Sequence, residues 1–304
     1  GLDKDYITAW SYGKQETFTL LIPNAKGGGD AQLAGNETAM EAIPREYRQV
    51  VGGLNQYWGD QPFTAGPVYV GALVIFLFIL SLLLMKGPLR WVMLAATILA
   101  ILLSWGKNMM WFTDIFIDYV PGYAKFRTVT MVLVIAQFCI PLLAFVGLNK
   151  ALTEPGVLKD SMKKFWIALG LTGGFTFLAY LAPGLFFDFL KTSESQEFTR
   201  MMRTGNNADQ IALIVSYLED ARIAIFKADA LRSLVYIILG AAVIWLFASG
   251  RLKQTWAMAA IVILVGADML SVNKRYLDSE NFVSERVSET PFPMTQADRI
   301  ILED

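Results

Sequence analysis

Six runs of apolar residues divide the chain, and each is separated from the next by a polar or glycine-containing connection. A helix rises about 1.5 Å per residue, so about 20 apolar residues cross a hydrocarbon core of about 30 Å. The runs lie near residues 66–85, 89–105, 128–148, 165–183, 231–249 and 255–271. The pattern therefore predicts an all-α polytopic membrane protein with about six transmembrane helices.

The connections between these runs contain patterned segments of their own. Residues 1–65 are polar, glycine-rich and aromatic, which predicts a long outer loop region with short helices. Apolar residues at helical spacing predict two interfacial helices, at about 109–120 and 207–227, the second lying across the outer mouth of the bundle. We therefore expect an extracytoplasmic loop region at 1–65, a helix bundle with outer interfacial helices at 66–272, and the start of an extracytoplasmic C-terminal region at 273–304.

The orientation of the bundle follows from the basic residues in the short loops, which stay on the cytoplasmic side of a membrane. The first, third and fifth connections contain Lys86 and Arg90, then Lys150, Lys159, Lys163 and Lys164, then Arg251 and Lys253. This bias predicts a multi-pass protein of the bacterial inner membrane with both ends of the chain extracytoplasmic.

Composition narrows the possible chemistry. Hydrophobic residues make up 55% of the chain and charged residues only 17%, below the roughly 25% that soluble domains average. The net charge is −1 and the basic residues are scattered, so the sequence has no basic cluster of the kind that binds nucleic acid. The chain has no histidine and one cysteine, Cys139, so His-dependent triads, disulfides and thiolate metal clusters are excluded.

The chain begins at Gly1 without an initiator Met or the pattern of a signal peptide. We therefore expect an internal piece of a larger protein whose first helix lies upstream. The triglycine segment that follows Lys26 lacks the Gly-Lys-Ser/Thr ending of a phosphate-binding loop, and this favours a flexible turn.

The outer segments contain a set of short motifs. In chain order they are Ser11-Tyr12-Gly13, Glu16-Thr17, Leu20-Leu21-Ile22-Pro23-Asn24, Tyr57-Trp58-Gly59-Asp60-Gln61-Pro62-Phe63-Thr64, Leu103-Ser104-Trp105-Gly106-Lys107-Asn108, Pro121-Gly122-Tyr123, Lys125-Phe126-Arg127 and Asn273-Lys274-Arg275-Tyr276-Leu277. Together they resemble the YfhO-like family of bacterial multispanning membrane proteins, in the form found in Bacteroidetes. The resemblance extends over nearly the whole chain.

Members of that family are similar to GT-C glycosyltransferases, which take sugars from polyprenyl-phosphate donors on the outer face of the membrane. The resemblance implies a longer chain, with further helices before this region and a soluble outer domain after residue 304. It also implies that the catalytic Asp, which the first outer loop supplies in GT-C enzymes, lies upstream of this sequence.

The outer turn between the second and third apolar runs is the first candidate site. Lys107, Lys125 and Arg127 could hold a lipid phosphate at headgroup depth, since Arg offers a planar fork and Lys a mobile point charge. Trp111, Asp114, Asp118 and Tyr123 lie in the same turn as possible sugar or acceptor contacts. The alternative is interfacial anchoring, in which charges and aromatic rings mark the headgroup boundary.

The second candidate site is the segment before the first apolar run. Trp58 could stack on a sugar ring, while Asp60 and Gln61 could bind sugar or acceptor hydroxyls. Asp3, Asp5 and Glu16 are weaker candidates for a general base or for oxygen ligands of a divalent cation, the only cofactor considered. Asp268 lies within the sixth apolar run, and an ionisable group at that depth is a hypothesis of function in its own right.

These features predict a glycosyltransferase-like membrane protein that transfers a sugar from a polyprenyl-phosphate donor to an outer-surface glycan or polymer. Its expected partners are membrane lipid, the lipid-linked donor and the acceptor. A transporter or flippase for a lipid-linked or polar solute is the first alternative, and an envelope-assembly scaffold is the second. A transporter needs a polar path through the bilayer, and few polar residues lie within the runs.

Overall fold

The computed structural model describes residues 2–125, 127–205 and 207–282, together with 284, 285, 288 and 294–303. This part of the chain is all-helical and contains no strand. Its helices are α1 (Lys4–Ile7), α2 (Glu37–Glu41), α3 (Arg48–Gly52), α4 (Ala72–Leu84), α5 (Leu89–Ser104), α6 (Met110–Tyr119), α7 (Leu133–Thr153), α8 (Pro155–Lys159), α9 (Met162–Leu169), α10 (Phe175–Leu181), α11 (Thr192–Thr204), α12 (Ala208–Ala248), α13 (Gln254–Asn273) and a last helix, Gln296–Glu303.

Four of the described helical segments are long and apolar enough to cross a membrane, as the sequence predicts: Val129–Thr153, Met162–Leu181, Ala208–Ala248 and Gln254–Asn273. The pair Leu89–Ser104 and Gly106–Tyr119 would make a fifth if its 109° bend lay within one span. The prediction of an all-helical chain with membrane-spanning helices is confirmed, but the predicted number of about six is not.

The difference arises partly at α4, the first predicted span, which is only 13 residues long. It covers about 20 Å, less than the roughly 30 Å of a hydrocarbon core. Yet α4 is buried along most of its length and packs against α7, α9, α12 and α13. A helix enclosed in this way is shielded from lipid by its neighbours. The non-helical backbone that precedes α4 can therefore lie at membrane depth, because it too is surrounded by protein.

The start of α4 is set by a distant carboxylate. Gly71 has a φ of +100°, which turns the chain out of the preceding extended segment. Asp268 on α13 then accepts hydrogen bonds from the backbone N–H of Ala72 and the hydroxyl of Tyr69, at 2.9 and 2.7 Å. Asp268 is buried and paired with Arg232, so protein partners rather than water satisfy its charge.

The predicted helix at 207–227 is continuous with the fifth predicted span, and together they form the 41-residue helix α12. It is about 60 Å long, twice the hydrocarbon thickness. The interpretation of residues 207–227 as a separate helix lying across the mouth of the bundle is therefore wrong. No Gly or Pro occurs between residues 208 and 239, and this absence of helix breakers is the physical reason for the continuity.

The N-terminal half of α12 supports the N-terminal segment of the chain. Leu218, Ala221 and Ile225 form a buried cluster with apolar residues of the N-terminal segment, namely Leu33, Ala39, Ile43 and Val51. Residues 2–70, which we call the cap, thereby pack on one end of the bundle. The cap also contacts the end of α5, where the N–H of Tyr12 donates to the carbonyl of Ser104 at 2.8 Å.

The opposite end of the bundle, which we call the basic end, is formed by the connections 85–88, 154–161 and 249–253. These are the connections whose lysines and arginines predict a cytoplasmic location. The chain thus places the long connections at the cap and the short basic ones at the other end, because successive long helices run in opposite directions.

The predicted interfacial helix at 109–120 corresponds to α6, Met110–Tyr119, which follows α5 after the 109° bend. The ring of Trp111 is 66% exposed and Ile115 is also exposed, while Thr113 is buried and its hydroxyl donates to the carbonyl of Gly106. An apolar face is therefore open on the outside of the protein.

The triglycine segment is packed tightly, contrary to the predicted flexible turn. Gly27 and Gly28 have φ values of +85° and +77°. A Cβ at Gly27 would overlap the carbonyl of Gln56, and one at Gly28 would overlap the hydroxyl of Tyr276. The glycines are needed here because the backbone turns into the left-handed region where other chain segments approach it closely.

Candidate functional site: a polar cavity beneath the cap

A polar cavity of about 260 Å³, which we call the cap cavity, lies between the cap, the turn after α5 and the segment before α11. Of the residues singled out in the sequence, Glu16, Trp58 and Asp60 line it. Its other lining residues are Gly13, Lys14, Gln15, Lys26, Gly59, Asn108, Asp188, Leu190, Lys191 and Thr192.

Glu16 organises the wall of this cavity. Its buried carboxylate accepts hydrogen bonds from the N–H groups of Gly13 and Asp60, at 2.9 and 3.3 Å. It also accepts from the hydroxyl of Tyr57 at 2.6 Å and the side-chain amide of Gln61 at 3.0 Å. Burial raises the pKa of Glu16, and these donors oppose that shift. Because four donors occupy the carboxylate, Glu16 positions the 57–61 segment rather than acting as a free base.

The predicted sugar contacts in this segment divide into two kinds. Gln61 is buried and its amide donates to Glu16, so it stabilises the 57–61 segment and does not face the cavity. The ring of Trp58 is only 1% exposed, lies 5.4 Å below the guanidinium of Arg222 and packs against Phe189. Trp58 is therefore part of the cavity wall and does not present an open face for stacking.

Lys26 is the most enclosed cation of the cavity, at 7% exposure. Its ammonium donates to the carbonyl of Asp188 at 2.7 Å, and the indole N–H of Trp58 donates to the same oxygen at 3.1 Å. Burial lowers the pKa of Lys26 to about 8, although the nearby carboxylates of Asp188, Asp60 and Glu16 oppose the shift. An ammonium has three N–H donors, so two remain for a ligand.

Two further lysines face the same space. The ammonium of Lys191 lies 4.6 Å from the ring centroid of Tyr57, and burial lowers its pKa. Lys14 lies over the ring of Trp105, at 6.0 Å. Neither has a described salt bridge, whereas the cavity's carboxylates already accept hydrogen bonds from neutral partners. The three lysines and three carboxylates of the lining balance in charge (3 − 3), but none of the three ammonium groups is in a described salt bridge, so their N–H donors can bind an oxyanion.

None of the three predicted phosphate ligands lines this cavity, although Lys107 lies beside it. The ammonium of Lys107 lies 3.5 Å from the carbonyl oxygen of Asp60, and the neighbouring Asn108 donates to the Asp60 carboxylate at 3.0 Å. Arg127 instead donates to the hydroxyl of Tyr6 at 3.0 Å and lies near the ring of Trp10. Lys125 is exposed in the turn after α6.

The remaining candidates surround α1 and α6. Asp114 forms an ion pair with Lys4, and the exposed Asp118 contributes to the negative field around that ammonium. Asp3 caps α1 by accepting from the N–H of Asp5, which is exposed. The Tyr123 hydroxyl is buried without a hydrogen-bond partner among the described residues, and its ring packs on Phe116. These contacts explain how α6 is held against α1.

No cluster of three or more acidic or cysteine side chains that could hold a metal ion occurs in the described part of the chain. The three carboxylates considered for a cation lie in different surroundings. Asp3 caps α1 and Asp5 is exposed, while the buried carboxylate of Glu16 already accepts four hydrogen bonds. The divalent cation considered from the sequence therefore has no site among them.

The chain was compared with family models, with characterised proteins and with solved structures. It matches none of them. The resemblance of its motifs to the YfhO-like family stays a prediction. The lining of the cap cavity is the structural evidence that bears on function.

The cavity also contains residues that the motifs did not single out, chiefly Lys14, Lys26 and Lys191. The last two are 165 positions apart in the chain (191 − 26) and meet only because the 186–191 segment folds over the cap. No short-range pattern indicates such a meeting. For Lys26 the sequence did contain one indication. Three glycines follow it, and glycines are typical of places where chain segments approach each other closely.

Proposed function

We propose that this chain is the membrane part of a GT-C-type glycosyltransferase-like protein, which transfers a sugar from a polyprenyl-phosphate donor to an outer-surface glycan or polymer. The observation that carries the proposal is the convergence of Lys14, Lys26 and Lys191 on one polar cavity beside the ends of apolar helices. We assign the donor phosphate to that cavity.

The chemistry expected there is stabilisation of a leaving group. When the bond between the sugar and the lipid phosphate breaks, negative charge grows on the departing phosphate oxygen. Ammonium groups that already line the cavity stabilise that charge without reorganising. Asp60 and Asp188 line the same cavity and can accept hydrogen bonds from sugar hydroxyls, while the acceptor's general base is assigned to no residue of this chain.

The side of the cavity towards the membrane fits a lipid-linked ligand. Phe18 follows the cavity residues Gln15 and Glu16 in the chain, stacks on Phe175 of α10 at 5.0 Å and contacts Phe187 edge-on. Because α10 belongs to an apolar span, this aromatic group connects the polar cavity to a surface that lipid covers. A polyprenyl chain could lie on that surface while its phosphate enters the cavity.

The packing of the bundle favours an enzyme over a transporter. Near the middle of the bundle the buried side chains of Leu77, Leu80, Leu143 and Ile244 fill the interior. A cavity found beside them has a volume of about 10 Å³, room for one water molecule at most. A polar solute would have to displace this packed apolar layer.

The test is sugar transfer or release by the full-length protein incubated with polyprenyl-phosphate sugars. Lys26→Gln and Lys191→Gln should each reduce the rate roughly 10- to 100-fold, an estimate scaled from hydrogen bonds to charged groups. Lys159→Gln, an exposed lysine at the basic end, serves as the matched control and should keep the parent rate. If both cavity variants keep the rate of an active wild-type protein, the donor phosphate does not bind in this cavity.

A further inference from the structure

A second cavity, of about 530 Å³, lies at the basic end of the bundle, and we call it the basic-end cavity. It opens between the end of α4, the last turn of α7, the α8 segment and the first turn of α9. Its walls are formed by Leu84, Lys86, Lys150, Glu154, Gly156, Val157, Asp160, Ser161 and Lys164. We propose that this cavity binds the phosphate headgroup of an anionic phospholipid from the adjoining leaflet.

The lysines of this cavity have unused hydrogen-bond donors. The ammonium groups of Lys86 and Lys164 have no hydrogen-bond or ion-pair partner in the part of the chain that the structure describes. Lys150 lies 3.9 Å from the exposed carboxylate of Glu154, a distance at which an ion pair contributes little. By contrast, the arginines of α12, Arg222 and Arg232, form close salt bridges with carboxylates.

The lining of the cavity has an excess of positive charge. Three lysines against the two carboxylates of Glu154 and Asp160 leave the lining a net charge of +1 (3 − 2). A phosphodiester has a single negative charge, so a phospholipid such as phosphatidylglycerol would neutralise the lining. Ser161 adds a hydroxyl that can donate to a phosphate oxygen.

Part of the cavity wall is apolar. Leu84 is buried and Val157 is half-buried, so the cavity has an apolar side as well as the side with the ammonium groups. A free inorganic phosphate would gain nothing from that apolar wall. A phospholipid could place its glycerol backbone there, with its acyl chains continuing along the exposed apolar helix surfaces.

The experiment is native mass spectrometry of the full chain in detergent, titrated with phosphatidylglycerol or with phosphatidylcholine. Each lysine near an anionic lipid changes affinity roughly five-fold, so Lys150→Gln with Lys164→Gln should weaken phosphatidylglycerol binding about 30-fold. The matched control is Lys159→Gln with Lys163→Gln, which removes the same charge from exposed positions of the same surface outside the cavity. The control should bind as the parent chain does.

Each of the following results would overturn the proposal. Equal losses in the two double variants would show diffuse attraction to a basic surface, and equal binding of the two phospholipids would show that charge is not recognised. Displacement of phosphatidylglycerol by 10 mM inorganic phosphate would assign the site to free phosphate. If the cavity double variant does not fold, Lys86→Gln alone should still lose about five-fold, and no loss would reject the site.

Discussion

Arg232 of α12 and Asp268 of α13 form a salt bridge with an N–O distance of 2.8 Å, and Asp268 also binds the first N–H of α4. One carboxylate therefore links three helices of the bundle. The positive end of the α4 dipole adds to the attraction, since unsatisfied N–H groups concentrate at a helix N-terminus. Asp268, a functional hypothesis from sequence, has a structural role at this position.

Replacing Asp268 by Asn should destabilise the protein by roughly 3 to 5 kcal/mol, because it leaves the partly buried Arg232 without its counter-charge. Thermal unfolding in detergent measures the effect. The exposed Asp118→Asn should have a midpoint close to that of the parent chain. Adding Arg232→Met to Asp268→Asn should recover part of the loss, and a double variant as unstable as the single would contradict the role assigned to the pair.

Gly28→Ala should destabilise the cap by more than Gly122→Ala does. Both glycines have positive φ values, +77° and +86°, but only at Gly28 would the added Cβ meet other residues, the hydroxyl of Tyr276 and the side-chain oxygen of Asn24. Backbone strain of about 1 kcal/mol is common to both, and overlap adds roughly 1 to 3 kcal/mol at Gly28. Thermal unfolding should show the larger shift for Gly28→Ala and partial recovery when Tyr276→Phe is added. Equal shifts in the two alanine variants would mean that the triglycine segment is not confined.

Lys26 should make the protein more stable as pH rises from about 8 towards 9.5. Its pKa is about 8 in the folded chain against an ordinary 10.5, so in this window the unfolded chain binds more protons and stability increases with pH. Lys26→Met should lack this contribution, measured as the difference between the two proteins in unfolding midpoint against pH. Folding also raises the pKa of Tyr276, to about 12, and this lowers stability above pH 10, but both proteins contain Tyr276 and its contribution cancels in the difference. Parallel curves for the two proteins would show that Lys26 titrates normally.

The orientation of the bundle can be tested with single cysteines in a Cys139→Ala background. Glu37 of the cap and Lys159 of the basic end are both exposed, so each variant offers a reachable thiol. In intact cells, Glu37→Cys should react with a membrane-impermeant thiol reagent and Lys159→Cys only after the cells are opened. The reverse pattern would place the cap cavity in the cytoplasm and exclude a donor on the outer face.

The apolar runs predicted the helical bundle because hydrophobicity along the chain is a local property. The start of α4 was not predictable, since its carboxylate partner lies 196 positions later, at Asp268. The continuity of α12 was readable in principle from the lack of Gly and Pro between residues 208 and 239, but the change from a partly polar to a wholly apolar stretch suggested two elements. In the cavity, Glu16, Trp58 and Asp60 were found by residue type, while their roles as scaffold or wall depended on partners far along the chain.

The continuous α12 also makes the cap cavity sensitive to the bilayer. Arg222, whose guanidinium lies over the ring of Trp58, and Gly240, within the span, belong to one helix and are separated by about 27 Å along its axis. A rigid rod of that length converts a change in tilt of about 5° into a displacement of about 2 Å at its far end. A thinner or thicker membrane that tilts the span would therefore shift the wall of the cavity, and the rate of any reaction there would depend on lipid chain length.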